Sequence, residues 1–243
     1  MLIDLLKEKW WNRVLNAKLE EKSITINIGT LKPSEAIGRP KKWVFPLMTG
    51  REVMIEARIG DACGQAFTDQ PAEFTGSIKD VMELELKSNR ERAILIAAIN
   101  ATYRYLGLIG GTKHCRNEGP EKCAIKIAST LKELHGNAKI GLIGYQPAIL
   151  HYLTLNFEYV RATDMNLENI GKIVNGVEIE PHTSNLDVIR WSDIILATGT
   201  TIVNNTIDEI IEASKNKKLY FYGVTIAAAA YEFKLNRLCF ESS

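Results

Sequence analysis

The sequence predicts an α/β protein in two parts: a small α+β domain over residues 1–110 and a parallel-sheet domain over residues 111–243. Three observations carry this. After Gly136, short continuous apolar runs alternate with helical segments, the pattern of a parallel sheet covered on both faces. Before Gly60, apolar residues alternate with polar ones, as in half-buried antiparallel strands. Between them, residues 90–106 are apolar on most sides, as in a buried helix.

Taken in order, residues 3–19 read as a helix whose stripe combines Leu5, Leu6, Val14 and Leu15 with Trp10 and Trp11. Ile24, Ile26 and Ile28 mark a strand. Residues 32–42, with two prolines, read as a loop. Val53, Ile55, Ala57 and Ile59 mark a second strand, returning through Gly60 and Asp61 along residues 62–67. Gly119-Pro-Glu starts a helix, since proline suits the first turn and an acidic residue suits the macrodipole. Cys123, Ile127, Leu131 and Leu134 lie on one face, and Gly136 ends it. Strands follow at residues 139–144, 157–161, 194–197 and 219–222. Helices follow at 148–155, 207–213, where Thr206 and Glu209 suggest a capping box, and 226–233. Residues 238–240 suggest an edge strand. This alternation is Rossmann-like.

The 243 residues, 46% hydrophobic and 24% charged with net charge +1, are those of an ordinary globular chain. The charge balance provides no footprint for nucleic acid or an acidic membrane surface. No apolar run approaches the ~18 residues of a bilayer span, and the amphipathic start lacks the parts of a signal peptide. A cytoplasmic protein with reduced thiols is expected. Its four cysteines show no C-x-x-C pair, which disfavours a disulfide framework or a four-cysteine zinc site.

Chemistry is expected at strand ends, where open parallel sheets bind ligands. Gly144, followed by Gln146 and Pro147, lets backbone approach a ligand at a helix start, or simply makes a tight turn. Asp164, 20 residues on, suits sugar-like hydroxyls, or caps a turn. Thr198-Gly199-Thr200-Thr201, with Asn204, Asn205 and Thr206, suits an anion or polar small molecule. Thr225 reads as a plain N-cap. In the first half, Thr112, His114 and Cys115 cluster, but adjacent strand residues face opposite ways, so His114 and Cys115 do not readily share a metal. Cys123 reads as core. Asn100, inside an apolar helix, must find hydrogen-bond partners or face a cavity. His135, His151 and His182 read as structural or surface residues. Hydrolase elbows, H-E-x-x-H pairs and P-loops are missing from the sequence.

These segments form an ordered set: Leu47-Met-Thr-Gly50, Gly64-Gln-Ala-Phe-Thr-Asp69, Arg92-Ala with Asn100-Ala101, Gly111-Thr-Lys-His-Cys115, Ile140 to Gly144 with Gln146-Pro147, Thr198 to Asn204, and Tyr222-Gly-Val-Thr225. In this the chain resembles the putative heavy-metal chelation family, a family of unknown function. The resemblance implies an enolase N-terminal-like domain, then a Rossmann-like domain similar to methyltransferases, with both supplying one site. It also implies condensation or hydrolysis chemistry in making metal-chelating or pterin-like molecules. Lys113 departs from the expected pattern and receives no role.

The resulting expectation is a small-molecule-binding enzyme acting on a pterin-, flavin- or siderophore-like metabolite linked to heavy-metal chelation. Thr200, Thr201 and Asn204 would hold a polar or anionic group beside Gly199. Gly144 and Gln146 would approach a ring, with Asp164 on its hydroxyls. Asn100 and Thr112 would contribute from the first domain. His114 is the candidate acid–base group, titrating near neutrality. One alternative is a non-catalytic binder of a heavy metal or metal chelate; no metal ligand is assigned. Another, from domain analogy alone, is an S-adenosylmethionine-dependent methyltransferase-like protein. No nucleic-acid or membrane partner is expected. An edge strand and the Trp10–Trp11 face leave room for a homodimer.

Overall fold

The structure, a computed structural model, describes residues 1–28 and 53–243. The expected loop at 32–42 and the segment 47–50 lie outside the described residues.

The chain begins with helix α1 (Leu2–Ala17), then strands β1 (Ser23–Ile28), β2 (Val53–Ile59), β3 (Ala62–Thr68) and β4 (Phe74–Ser77). They form an antiparallel sheet in the order β3-β2-β1-β4. Residues 57 and 64 pair across the β2–β3 hairpin, so the expected turn at Gly60 sets the register. Ile24 and Ile26 face the core while Ser23, Thr25 and Asn27 are exposed, as their alternation requires. On α1 the buried stripe is Ile3, Leu6, Trp10 and Val14; Leu5 and Leu15 are exposed. Trp10 is fully buried, so it is not part of a free dimer face.

Helices α2 (Ile78–Met82) and α3 (Asn89–Tyr105) each start on a capping box, Ser77 with Asp80 and Ser88 with Glu91. Residues 93–103 of α3 are all buried. The helix packs on β2 and β3 on one side and meets the second half of the chain on the other. A helix buried all round is the expected outcome of its sequence.

The second half contains α4 (Gly119–His135), β5 (Ile140–Ile143), α5 (Pro147–Asn156), β6 (Val160–Asp164), β7 (Ile173–Val174), β8 (Val177–Pro181), α6 (Asn185–Trp191), β9 (Ile194–Thr198), α7 (Ile207–Ala213), β10 (Lys218–Tyr222) and α8 (Ala227–Phe233). Its sheet runs β10-β9-β5-β6-β8-β7; all neighbours are parallel except β7 with β8. Successive side chains point to opposite faces. Ile195, Ala197 and Phe221 join the core shared with α3 and the first sheet, whereas Ile140, Leu142 and Leu196 pack under α4 and α5. The protein is therefore a mixed α/β fold with two sheets, one largely parallel.

Three local expectations are corrected. Thr206 makes no side-chain cap; its hydroxyl instead donates to the Thr201 carbonyl oxygen at 3.5 Å. Thr225 does not cap α8, whose first turn begins two residues later; its hydroxyl accepts from the Phe67 backbone N–H at 3.1 Å. The expected edge strand at 238–240 is reduced to a single parallel bridge, Phe221 with Arg237. Arg237 holds this tail down by donating to the carbonyls of Gly223 and Gly111 at 2.9 and 2.6 Å. Across the other side, Glu232 of α8 accepts from Arg13 of α1 at 2.5 Å and from Tyr103 of α3 at 2.6 Å, tying three helices together. Among the described residues, no helix is long and apolar enough to cross a membrane.

Candidate functional site

The strand order reverses at β5. From β5 the chain steps to β6 and β8 on one side, then returns to β9 and β10 on the other. The connections leaving β5 and β9 run to opposite sides there, at the place where open α/β sheets form a crevice. A cavity of about 150 Å³ occupies it. Cavities of this size admit a small ring, and this one is open on one side, so a larger ligand can extend from it.

Gly144 follows β5 with φ +90°, a conformation that disfavours side chains. An added Cβ would also stand 2.6 Å from Thr198 Cγ2, so the two strand ends touch through this glycine. The Tyr222 hydroxyl donates to the Gly144 carbonyl oxygen at 2.8 Å. Gln146 caps α5, accepting from the Ile149 N–H at 2.5 Å, and its amide nitrogen remains available beside the cavity. Asp164 at the end of β6 accepts from the backbone N–H groups of Met165 (2.7 Å) and Asn166 (3.2 Å) and from Asn169 Nδ2 (2.6 Å). Its turn-forming role is therefore present alongside its place in the cavity wall. Burial pushes its carboxyl up despite those three donors.

After β9, residues 199–202 form a 3₁₀ turn that uses much of its own polar chemistry. Thr201 Oγ1 donates to the Thr198 carbonyl at 2.8 Å, and the Thr198 and Thr200 hydroxyls lie 3.2 Å apart. Gly199 lines the cavity through its backbone because Ile226 packs where a side chain would stand. Asn204 Nδ2 donates only to the Met165 thioether, at 3.3 Å, a weak acceptor that a ligand can replace.

The first half closes the cavity with Phe67 and His114. The His114 backbone N–H donates to Gln65 Oε1 at 2.6 Å, and Gln65 Nε2 donates to Glu56 at 2.7 Å. Buried Gln65 thus fixes where His114 sits. The His114 ring stands edge-on to Phe67, centroids 5.4 Å apart. Its Nδ1 lies 2.6 Å from the Cys115 carbonyl oxygen. A carbonyl only accepts, so Nδ1 carries the proton and Nε2 of the neutral ring keeps a lone pair. Burial lowers its pKa below the usual histidine value. At neutral pH His114 is equipped as a base.

The structure brings together His114, Gly144, Gln146, Asp164, Gly199, Thr200, Thr201 and Asn204 around one cavity. Asn100 and Thr112 do not line it. Asn100 is fully buried and saturated: Nδ2 donates to the carbonyls of Gln65, Val224 and Thr225 at 3.1–3.3 Å, and Oδ1 accepts from the Ala228 N–H at 2.9 Å. Thr112 donates to the Cys63 carbonyl at 2.7 Å and accepts from Arg104 at 3.2 Å. Asn100 joins the two halves of the wall, and Thr112 holds the segment before His114 on β3 and α3. Sequence reasoning missed Tyr145, Asn185, His182, Cys123 and Cys239, which also line the cavity. His182 follows β8, a strand whose short polar run gives no apolar signal. Cys239 lies in the irregular C-terminal tail. Among the described residues, no lysine or arginine lines the cavity wall. Thr200, Thr201 and Asn204, expected to hold a polar or anionic group, all line the cavity. Among the described residues, no three His, Cys, Asp or Glu side chains are placed to hold a metal ion.

A family profile of DUF364, described as "Putative heavy-metal chelation", matches residues 128–236. The DUF364 match thus covers the parallel sheet from the end of α4 to the tail, including both strand ends at the switch point. Two solved structures of DUF364 proteins of unknown function share the fold. One, from Pyrococcus horikoshii, is 20% identical, with a TM-score of 0.57 over 93% of this chain and 80% of its own. The other, from Desulfitobacterium hafniense, is 15% identical, with a TM-score of 0.54 over 75% of this chain and 72% of its own. No curated protein matches the chain.

Proposed function

We propose that the cavity binds a small, ring-containing, weakly charged metabolite of the metal-chelating kind, pterin-like in size, and that the protein is an enzyme acting on it. The observation that carries this reading is the character of the wall: a largely apolar, ring-sized space set with hydroxyls, amides and imidazoles and, among the described residues, with no lysine or arginine. Phosphate-rich ligands call for such cations; a heteroaromatic ring with donors and acceptors on its edge does not. The Gln146 amide, the Asn204 amide and the Thr200 hydroxyl would read the ring edge. Phe67 and Tyr145 would supply apolar faces. His114 Nε2 would take a proton from the bound molecule, as a general base whose reach is one hydrogen bond.

The test is binding of a free pterin, followed by calorimetry and thermal shift, with riboflavin and S-adenosylmethionine as comparisons. A pterin is expected to bind, and Thr200→Val to weaken it about tenfold, the cost of one hydrogen bond lost without change of shape. A pterin that fails to bind at millimolar concentration, while riboflavin or S-adenosylmethionine does bind, would replace this reading.

A second reading has its own support. Among the described residues, Asp164 is the only carboxylate in the wall and no lysine or arginine lines it, which suits a neutral or cationic preformed metal chelate held without chemistry. Tight binding of a chelate with no change in its composition on prolonged incubation would select this reading.

The base role makes a separate prediction. In an NMR titration, the His114 ring signal is expected to move with a midpoint below ~6.5, the ordinary value. Because burial lowers the pKa, the neutral base persists as pH falls through that value and is lost only further down. A midpoint at or above the ordinary value removes His114 from the role.

A further inference from the structure

Of the four cysteines, at positions 63, 115, 123 and 239, three, Cys115, Cys123 and Cys239, line the same cavity as His114. Cys63 lies elsewhere, on β3. Within the trio, the Cys123 and Cys239 thiols are neighbours, close enough to influence each other's ionisation. Cys123 is on α4, and Cys239 is in the C-terminal tail. The tail is firmly seated: the Leu238 N–H donates to the Phe221 carbonyl at 2.8 Å, and Ser243 and Lys113 exchange backbone hydrogen bonds at 2.8 and 3.0 Å. The pair is therefore set by the fold. It also opens on a cavity that a small reagent can enter.

We propose that Cys239 and Cys123 are a reactive dithiol in the cavity wall: Cys239 attacks a hydroperoxide, and Cys123 resolves the product into a disulfide joining the tail to α4. The chemistry of the surroundings divides the roles. The Cys123 thiol faces the Cys239 sulfur as a donor, and the Arg237 guanidinium and the Ser242 hydroxyl add to the same effect. Together they outweigh burial and hold Cys239 well below the ordinary thiol range. The same pairing, with burial, pushes Cys123 up. Burial pushes Cys115 up to about 12, with Cys239 and Glu241 acting in the same direction, and also raises Cys63. A thiolate is the nucleophile and a protonated thiol is not, so one of the four sulfurs is primed and it has a partner in contact.

The steps balance. The Cys239 thiolate attacks one peroxide oxygen, the O–O bond breaks, and the sulfur becomes a sulfenic acid, oxidised by two electrons. The departing alkoxide, or hydroxide, takes the proton of Cys123. The Cys123 thiolate then attacks the sulfenic sulfur; the S–S bond forms and hydroxide leaves, taking a proton from solvent. Two thiols and one hydroperoxide give one disulfide, one alcohol or water, and one further water. An external dithiol reverses the change.

The inference is independent of what else the cavity binds, and the test uses the full chain alone with hydrogen peroxide as the probe. The treated protein is expected to lose about 2 Da, with a peptide map linking Cys123 to Cys239 and leaving Cys63 and Cys115 free. C123S is expected to retain a dimedone-trappable sulfenic acid at Cys239. In the unmodified wild type, Cys239 is expected to react with iodoacetamide near pH 6 at least about tenfold faster than Cys63 or Cys115. This measurement needs no variant, so a misfolded substitution cannot blur it. Four thiols surviving peroxide, a link mapped to Cys115, or Cys239 alkylation rising only around an ordinary thiol pKa of ~8.5 would overturn the proposal.

Discussion

Replacing Asn100 by Asp is expected to destabilise the protein by at least ~4 kcal/mol at neutral pH, a large share of the ~5–15 kcal/mol that holds a typical domain together. The change is one atom in size, so packing is not the cause. Asn100 Nδ2 donates to three carbonyl oxygens, from β3 and from the approach to α8. Aspartate would set a second oxygen against all three and leave them without a donor. Its charge would be fully buried, with only the Ala228 N–H to stabilise it. Burial and the facing carbonyls would raise its folded pKa above the unfolded value. The penalty is thus largest at high pH and shrinks as pH falls through the folded value, because a protonated acid regains one O–H donor. Thermal unfolding of Asn100→Asp should therefore show a variant that gains stability on mild acidification where the wild type does not. A variant unfolding within a few degrees of wild type at neutral pH would show that Asn100 does not pin the two halves.

The same residue shows how far the sequence could be read. A lone amide inside an apolar helix announces that it must be satisfied, and Asn100 is. The sequence does not reveal by whom, because its partners lie 35 to 128 residues away. The elements themselves were more legible. Alternation at Ile24 and Ile26, continuous apolar runs at β5 and β9, and the all-round apolar α3 each follow from burial on one, two or all sides. Elements with little apolar content escaped: β8, with Glu178 and Glu180 outward, and β7, only two residues long.

For the site, local chemistry was legible and convergence was not. Gly144, Asp164 and the Thr198–Asn204 turn, which line the cavity, are legible because strand ends carry a recognisable signal. Thr112 was assigned to a ligand because a polar cluster near His114 lacked local partners; its partners, Cys63 and Arg104, belong to other elements. Cys123 sits on an apolar helix stripe and reads as core, as it would in any protein. Only the folded tail gives it a sulfur neighbour. Pairs of this kind leave no spacing motif, since their separation is fixed by topology and not by a turn.

Gly64→Ala is expected to be more damaging than its size suggests, lowering the unfolding temperature by roughly 10 °C or preventing folding. On propensity alone the change would stabilise a strand by ~0.5–1 kcal/mol. The geometry reverses the sign. A Cβ on Gly64 would stand 2.1 Å from the Ala101 nitrogen, 2.5 Å from the Ala97 oxygen and 2.6 Å from the Asn100 carbonyl carbon. These are backbone atoms of α3, so no rotamer relieves the contact; β3 and α3 must separate by about an ångström, against close packing on both sides of the helix. The next residue, Gln65, contributes the carbonyl that Asn100 holds and the side chain that places His114. Separation would therefore loosen the cavity wall as well as the core. Because Gly64→Ala and Asn100→Leu disrupt one interface, their costs should not add: the double variant is expected to lose less stability than the two singles together. Chemical denaturation of the three variants measures this directly. A Gly64→Ala protein as stable as wild type would mean that β3 and α3 are not packed backbone against backbone.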